Sequence, residues 1–296
     1  MTQMLLSPLP QLGLVSDEIG LDLRTSAEKA VACGIRRIEI RGLRSGRFPF
    51  CDRAELDEVS RILAGEGLTV TAVSPGLFKM TQPRVHDAHV AVKEVLPRVA
   101  EWAERWGFRR VLCFGFLKSE NHALRSRDRH RAAGLLGEAA EAAHTLGLEL
   151  LVEPEPICLI DTGDNALRTL NAAGSRHLGI NYDPGNVAWQ TGRSPLPEYA
   201  RVLPFIRHVH VKDMLRSDPY LGDGRDEPRW VPAGKGICDY PAFFRMLAES
   251  GYCGEISLEP HLHDGGARLE ECRKALEACW PQQVESTQAT LEPATK

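Results

Sequence analysis

Apolar residues along this chain gather in short runs, and each run is followed by a longer stretch with helical periodicity. The runs lie at 11–16 (QLGLVS), 36–42 (RRIEIRG), 68–74 (LTVTAVS), 109–115 (RRVLCFG), 148–154 (LELLVEP), 178–183 (LGINYD), 206–213 (IRHVHVKD) and 254–260 (GEISLEP). Their length and β-branched content read as strands. The intervening segments include Asp52–Ala64, Val85–Trp106, Arg129–Leu146, Tyr240–Ser250 and Ala267–Cys279, and read as helices. Glycines in TLGLE and ESGYCGE fall where a helix should stop before the next strand. Strand alternating with helix implies parallel strands and right-handed crossovers. Eight such units predict a single α/β domain, a (β/α)8 barrel over residues 1–281. Residues 282–296 (QQVESTQATLEPATK) are polar and poor in aromatics, and read as a mobile tail. The connection 215–235 is long for a barrel loop, which suits a lid or a substrate wall.

Strand parity then locates candidate chemistry. In a strand, residues two apart share a face. Leu150 and Val152 oppose Leu151 and Glu153; Leu178, Ile180 and Tyr182 oppose Gly179, Asn181 and Asp183. Val209 and Val211 oppose His208, His210 and Lys212, and Ile256 and Leu258 oppose Ser257 and Glu259. The apolar face should meet the surrounding helices, which aims the other face into the barrel. Glu153, Asp183, His210 and Glu259 then converge on the C-terminal mouth, where such barrels place their active sites. Three carboxylates and an imidazole suit one divalent ion: Mn²⁺, Co²⁺, Mg²⁺ or Zn²⁺. Without a cation, the three carboxylates would repel and at least one would take up a proton. Any one of these groups alone would read as a helix cap or a core histidine. Four in the same parity argue for a site.

Composition narrows the partners. The formal net charge is −4, with 36 basic and 40 acidic residues and no basic block, which argues against nucleic acid. No apolar run reaches membrane-spanning length, and the N-terminal segment lacks the pattern of a signal peptide. The eight cysteines include no C-x-x-C pair. A cytoplasmic, metal-dependent protein acting on a small molecule is expected, with homo-oligomerisation left open.

The segments LVEPEP, NYDPGN, HVHVKD and GKGICDYPAFFRMLAESGYCGEISLEPH together resemble the xylose isomerase-like barrel superfamily, over roughly residues 10–280. That group includes ketose 3-epimerases, hydroxypyruvate isomerases, inosose dehydratases and, more distantly, endonuclease IV. The resemblance implies one divalent metal on Glu153, Asp183, His210 and Glu259, with Glu153 and Glu259 also moving the proton. It places Asn186 and Arg216 where ketose epimerases bind substrate. The second glutamate of the epimerase pattern falls on Leu159 here, which counts against that activity; Glu155 lies nearby at a different spacing.

Other residues were weighed beside these. His208, a layer deeper than His210, orients the site or simply fills the core. Lys212 either meets an anionic substrate group or pairs with a neighbouring carboxylate. Glu39 and Arg41 share a face of the second strand and either contact substrate or pair with each other. His86 and His89 read as helix surface. One of His261 and His263 could line the pocket. Ala233–Gly236 (AGKG) either cradles a phosphate or forms a plain turn.

These groups permit proton transfer next to a carbonyl, with three outcomes: epimerisation, aldose–ketose isomerisation or dehydration. The expected substrate is a sugar, sugar phosphate or related keto-polyol, and a dehydratase of inosose or dehydroshikimate type is the alternative. An endonuclease IV-like hydrolase would need more histidine ligands and a basic face. A non-catalytic sugar-binding barrel would have no need of the ligand quartet. For the tail, a chain ending at Gln282 should melt within a few degrees of the full chain. Its apolar surface is too small to offset an ordering cost of roughly 1–2 kcal/mol per residue, and calorimetry of both forms checks this.

Overall fold

The computed structural model describes residues 9–80, 85–119, 125–215 and 228–281. All eight expected strands form. They are β1 Leu12–Val15, β2 Arg37–Ile40, β3 Thr69–Leu77, β4 Arg110–Phe114, β5 Glu149–Glu153, β6 Leu178–Tyr182, β7 Ile206–Val211 and β8 Glu255–Leu258. Each pairs in parallel with its neighbours in chain order, and β8 returns to β1, closing the barrel. Helices α1 Leu23–Ala32, α2 Arg53–Glu66, α3 Val85–Trp106, α4 Arg125–Thr145 and α5 Gly163–Ala173 follow the first five strands. Helices α6 Pro184–Thr191 and α7 Leu196–Val202 follow β6, α8 Tyr240–Glu249 follows β7, and α9 Leu269–Cys279 follows β8. No helix among the described residues is long and apolar enough to cross a membrane.

The alternation sorts side chains as expected. Leu150, Val152, Ile180, Tyr182, Val209, Val211, Ile256 and Leu258 join the large core between barrel and helices. Ala72, Leu112 and Leu151 form a separate, fully buried cluster inside the barrel. The interior is therefore apolar on one side only. The other side, around Glu39, His208 and Ser257, is polar and equally buried.

Two boundaries differ from the sequence reading by more than two residues. Helix α4 begins at Arg125 rather than Arg129, because the charged run ahead of it carries no breaker. Strand β3 passes through Ser74–Pro75–Gly76 and ends at Leu77. Pro75 falls in a register break between Val73 and Leu77, where no ladder hydrogen bond is asked of it. The 282–296 tail lies outside the described residues.

Helix caps fix the strand-to-helix turns. Asp22, Thr162, Asp183 and Asp239 each accept a backbone N–H three residues on, capping α1, α5, α6 and α8. Asp183 is thus both a candidate ligand and the first fixed point of α6. At the base of the long loop, Asp213–Met214 pairs antiparallel with Trp230–Val231.

Helices α4 and α5 meet closely at Gly137, where a Cβ would sit 2.1 Å from the Ala173 carbonyl oxygen. Gly137→Ala should destabilise the fold by about 1–3 kcal/mol through overpacking. Gly134→Ala, on the same helix with open space around it, should instead be stabilising by roughly 0.5–1 kcal/mol. Urea unfolding of the two variants gives opposite shifts if the contact is as tight as described.

Candidate metal centre

The last inward residues of β5 and β7 and the first residues beyond β6 and β8 meet at the barrel mouth. Glu153, Asp183, His210 and Glu259 are all buried, and one potential ligand atom from each lies within 4.8 Å of the others. Register explains this. Strands β7 and β8 run side by side with His210 opposite Ser257, so Glu259 projects just above His210. Asp183 leaves β6 as the cap of α6, and its Oδ1 accepts from Asn186 N at 3.0 Å.

Each group is held from behind. Glu153 accepts from Asn186 Nδ2 at 3.0 Å and from Asn181 Nδ2 at 3.1 Å. His210 Nε2 lies 2.8 Å from Glu39 Oε2, and the same oxygen lies 3.1 Å from His208 Nε2. His208 Nε2 also lies 3.1 Å from Ser257 Oγ. Arg41 bonds Glu259, and also bridges Asp17 at 2.9 Å and Glu18 at 3.1 Å. Lys212 Nζ lies 2.8 Å from Asp183 Oδ2 and 3.0 Å from Glu259 Oε2.

Titration follows these contacts. Burial pushes the Asp183 carboxyl up to about 7; Lys212 pulls against this, and Glu259 and Glu153 add to it. Burial would also raise Glu259, but Lys212, His210 and Arg41 outweigh it and hold it well below the carboxylate range. Burial disfavours the His210 imidazolium, yet Glu39, Glu259 and Glu153 raise it well above its ordinary value. His208 is lowered, chiefly by burial, against the pull of Glu39. Lys212 is raised despite burial by Asp183 and Glu259.

The residues present fit a divalent ion. His210 Nδ1 is buried without a hydrogen-bond partner, 3.1 Å from Glu259 Oε2 and 3.7 Å from Glu153 Oε1. Its other nitrogen is on a carboxylate, the arrangement that orients a ligand histidine. Three carboxylates and one imidazole nitrogen thus face a common point, a donor set for a hard or borderline cation.

The remaining sequence candidates fall into place or away. Asn186 spends its amide on Glu153 and the Pro154 carbonyl oxygen. Glu155 lines the mouth and pairs with Lys79 at 2.8 Å. Arg216 lies outside the described residues. Glu39 and Arg41 do not pair with each other: one turns to the histidines and the other to Asp17, Glu18 and Glu259. The N–H groups of Gly234 and Gly236 in AGKG bond Asp213 Oδ2 at 3.0 and 2.9 Å, so this turn clamps a carboxylate of the protein's own. His89 pairs with Glu138 on the surface, and both His261 and His263 line the mouth. Sequence reasoning passed over Arg47, Trp189 and Trp230, which complete the walls. Trp230 follows a long loop and Arg47 a short one, and neither carries a periodicity signal.

The mouth encloses about 360 Å³. A larger concavity, about 520 Å³, opens at the opposite end among Arg37, Arg110, Glu149 and Glu255. There Arg37 is already paired with Glu255 at 2.7 Å and no ligand set converges, so size does not choose the site.

Residues 27–281 match the family described as xylose isomerase-like TIM barrel. The chain belongs to that family. The resemblance carried by the four strand-end segments is thereby borne out. One curated family relative, the L-ribulose-5-phosphate 3-epimerase UlaE of Escherichia coli, is 26% identical over 170 residues, 56% of this chain and 55% of that protein. The chain spans between 40% and 55% of the length of the curated relatives it matches. Among solved structures, the probable 3-DHS dehydratase AsbF of Bacillus anthracis superposes with a TM-score of 0.73 at 19% identity, over 90% of this chain and 98% of that one. The IOLI protein, solved with a zinc atom, superposes at 0.72 and 18% identity, over 91% and 96%. At these identities the structural likeness is one of fold. Epimerases and dehydratases both occur among the family's enzymes.

Asp183, raised to about 7, is partly protonated at neutral pH, and His210 holds its proton above the ordinary imidazole range, so a divalent ion entering here would displace protons. Affinity for Mn²⁺ should therefore rise with pH through about 7, where Asp183 loses its proton, and go on rising while His210 is still protonated. Calorimetry in buffers of different ionisation enthalpy should show net proton release. Asp183→Asn should remove the rise near 7 as well as weaken binding; an unchanged profile would remove Asp183 from the ligand set.

Proposed function

We propose that this chain is a divalent-metal-dependent isomerase or epimerase of a sugar, sugar phosphate or related keto-polyol. The observation that supports it most is the placement of two buried glutamates, Glu153 and Glu259, within one ligand cluster although they leave strands that do not pair, β5 and β8. They approach a common point from different sides. Glu153, Asp183, His210 and Glu259 would hold the ion. It would polarise the substrate carbonyl and carry the charge that proton removal leaves on oxygen.

The chain's own residues do the rest. One glutamate removes the proton from the carbon beside the carbonyl, and the other returns it. Glu259 is ionised at any physiological pH because Lys212, His210 and Arg41 surround it, so it starts as a proton acceptor. Glu153 is hydrogen-bonded by two side-chain amides, with His210 Nδ1 further off at 3.7 Å. Asn181 and Asn186 therefore set its orientation. Trp189 and Trp230, whose rings meet edge to face with centroids 5.9 Å apart, wall the mouth.

Dehydration at the same site is the second reading, and Leu159 favours it. That residue stands where the epimerase pattern has its second glutamate, and it is fully buried in the core. No carboxylate is available there to a ketose.

Glu153→Gln and Glu259→Gln keep shape and an oxygen donor but remove the base. Each should cut turnover by at least ~100-fold, with metal content measured on the same sample. A screen of keto-sugars, inososes, dehydroshikimate and hydroxypyruvate in D₂O, read by NMR, tests the class. Solvent deuterium with inversion marks an epimerase, deuterium with transfer of the carbonyl an isomerase, and exchange with water loss a dehydratase. Full activity in metal-loaded Glu153→Gln would exclude that residue as a base.

A further inference from the structure

The cations around the mouth are not equivalent. Arg41 is spent on Asp17, Glu18 and Glu259; Lys79 is spent on Glu155; Lys212 is spent on Asp183 and Glu259. Arg47 also lines the mouth, and among the described residues no carboxylate lies within ion-pair distance of it. It is half-buried; burial and the neighbouring Arg41 act against its charge, and Asp17, Glu153 and Glu155 favour it only from beyond ion-pair distance. A guanidinium stays charged in a protein, so a partly desolvated one without a counter-ion is an anion site by default.

Arg47 is also held in place. Its Nε donates to the Ser74 carbonyl oxygen at 2.9 Å and its Nη2 to Ser74 Oγ at 3.0 Å. It lies against Gly76, whose φ is +76° and where a Cβ would come within 3.0 Å of Nε. Only glycine suits that conformation without strain, and only glycine leaves the arginine its place. Two donors are used in fixing the side chain, and among the described residues the other guanidinium N–H groups have no protein acceptor. A fixed fork of this kind suits a carboxylate or a phosphate, which it meets with charge-assisted hydrogen bonds. A volume of about 360 Å³ admits a small metabolite and little more.

We propose that the substrate of this mouth carries an acidic group, a carboxylate or a phosphate, and that Arg47 binds it; this rests on the reading of the site as a sugar or keto-polyol enzyme. A neutral ketose would leave Arg47 without a directly paired anion in the mouth. An acid or a sugar phosphate would neutralise it and be oriented by it, with its reactive carbon toward Glu153 and Glu259.

Two measurements test this. In the first, inorganic phosphate and D-tartrate are titrated into the full-length protein by calorimetry, both chelator-stripped and loaded with Mn²⁺, with xylitol as the neutral control. Saturable one-to-one binding of at least one anion is expected, at least about tenfold weaker in Arg47→Gln, with Arg47→Lys between the two. Thermal melts of the variants confirm that they are folded. Equal affinity in all three proteins, or no saturable binding of either anion, would overturn the proposal. The phosphate and tartrate arms show which acid the mouth prefers. In the second, turnover is compared for charged and neutral members of each substrate class, and the loss in Arg47→Gln should fall on KM for the charged members. Charged substrates turned over with the same KM in both proteins would overturn this inference and leave the isomerase reading standing. Anion binding that depends on Arg47, without turnover of any keto-polyol, would overturn that reading and keep the inference.

Discussion

Burying like charges is the constraint around which the barrel mouth is arranged. Glu153, Asp183 and Glu259 are all nearly inaccessible to water and face one another. Three carboxylates in so small a volume cannot all stay ionised without countercharge, because desolvation and mutual repulsion act in the same direction. The protein supplies part of that charge itself, through the Lys212 ammonium, the His210 imidazolium and the Arg41 guanidinium. It leaves Asp183 nearest to protonation. A divalent ion would offer more charge at a shorter distance. The same geometry thus serves two states: one closed by protein cations and one closed by a metal.

Behind that set runs a second buried chain, Ser257–His208–Glu39–His210. Glu39 is completely buried, yet burial does not win: His210 and the hydrogen bonds from both histidines keep its carboxyl ionised. The charge on Glu39 settles which nitrogen of His210 faces the mouth. This chain replaces apolar packing on one side of the barrel interior, while Ala72, Leu112 and Leu151 fill the other. The scaffold gives up part of its core to orient one candidate ligand, His210.

Parity alone was enough to read the barrel and its four strand-end groups from the sequence. Alternation survives in β5, β6, β7 and β8 because each is apolar on one face and chemical on the other. What parity cannot give is the partner across the barrel. Glu39 and Arg41 share a face of β2, but they reach groups 169 or more positions away, such as His208 and Glu259. Lys212 had two readings open, and only the register of β7 against β6 and β8 shows it resting on Asp183 and Glu259. Arg47 was invisible because a loop residue carries no period. The Ser74–Pro75–Gly76 stretch looked like the end of a strand because pairing lapses there while the extended backbone continues.

Asp213 has a consequence beyond the turn it holds. Its carboxylate accepts backbone N–H groups of Met214, Gly234, Gly236 and Cys238, while Leu215 N bonds the Arg229 carbonyl oxygen at 3.0 Å. The chain therefore departs from the barrel and returns to it at two points pinned to each other. The clamp therefore braces the end of β7 directly against the start of α8, ahead of whatever sequence connects them. A change of length in that connection would meet this carboxylate before it met the strands that carry the candidate ligands.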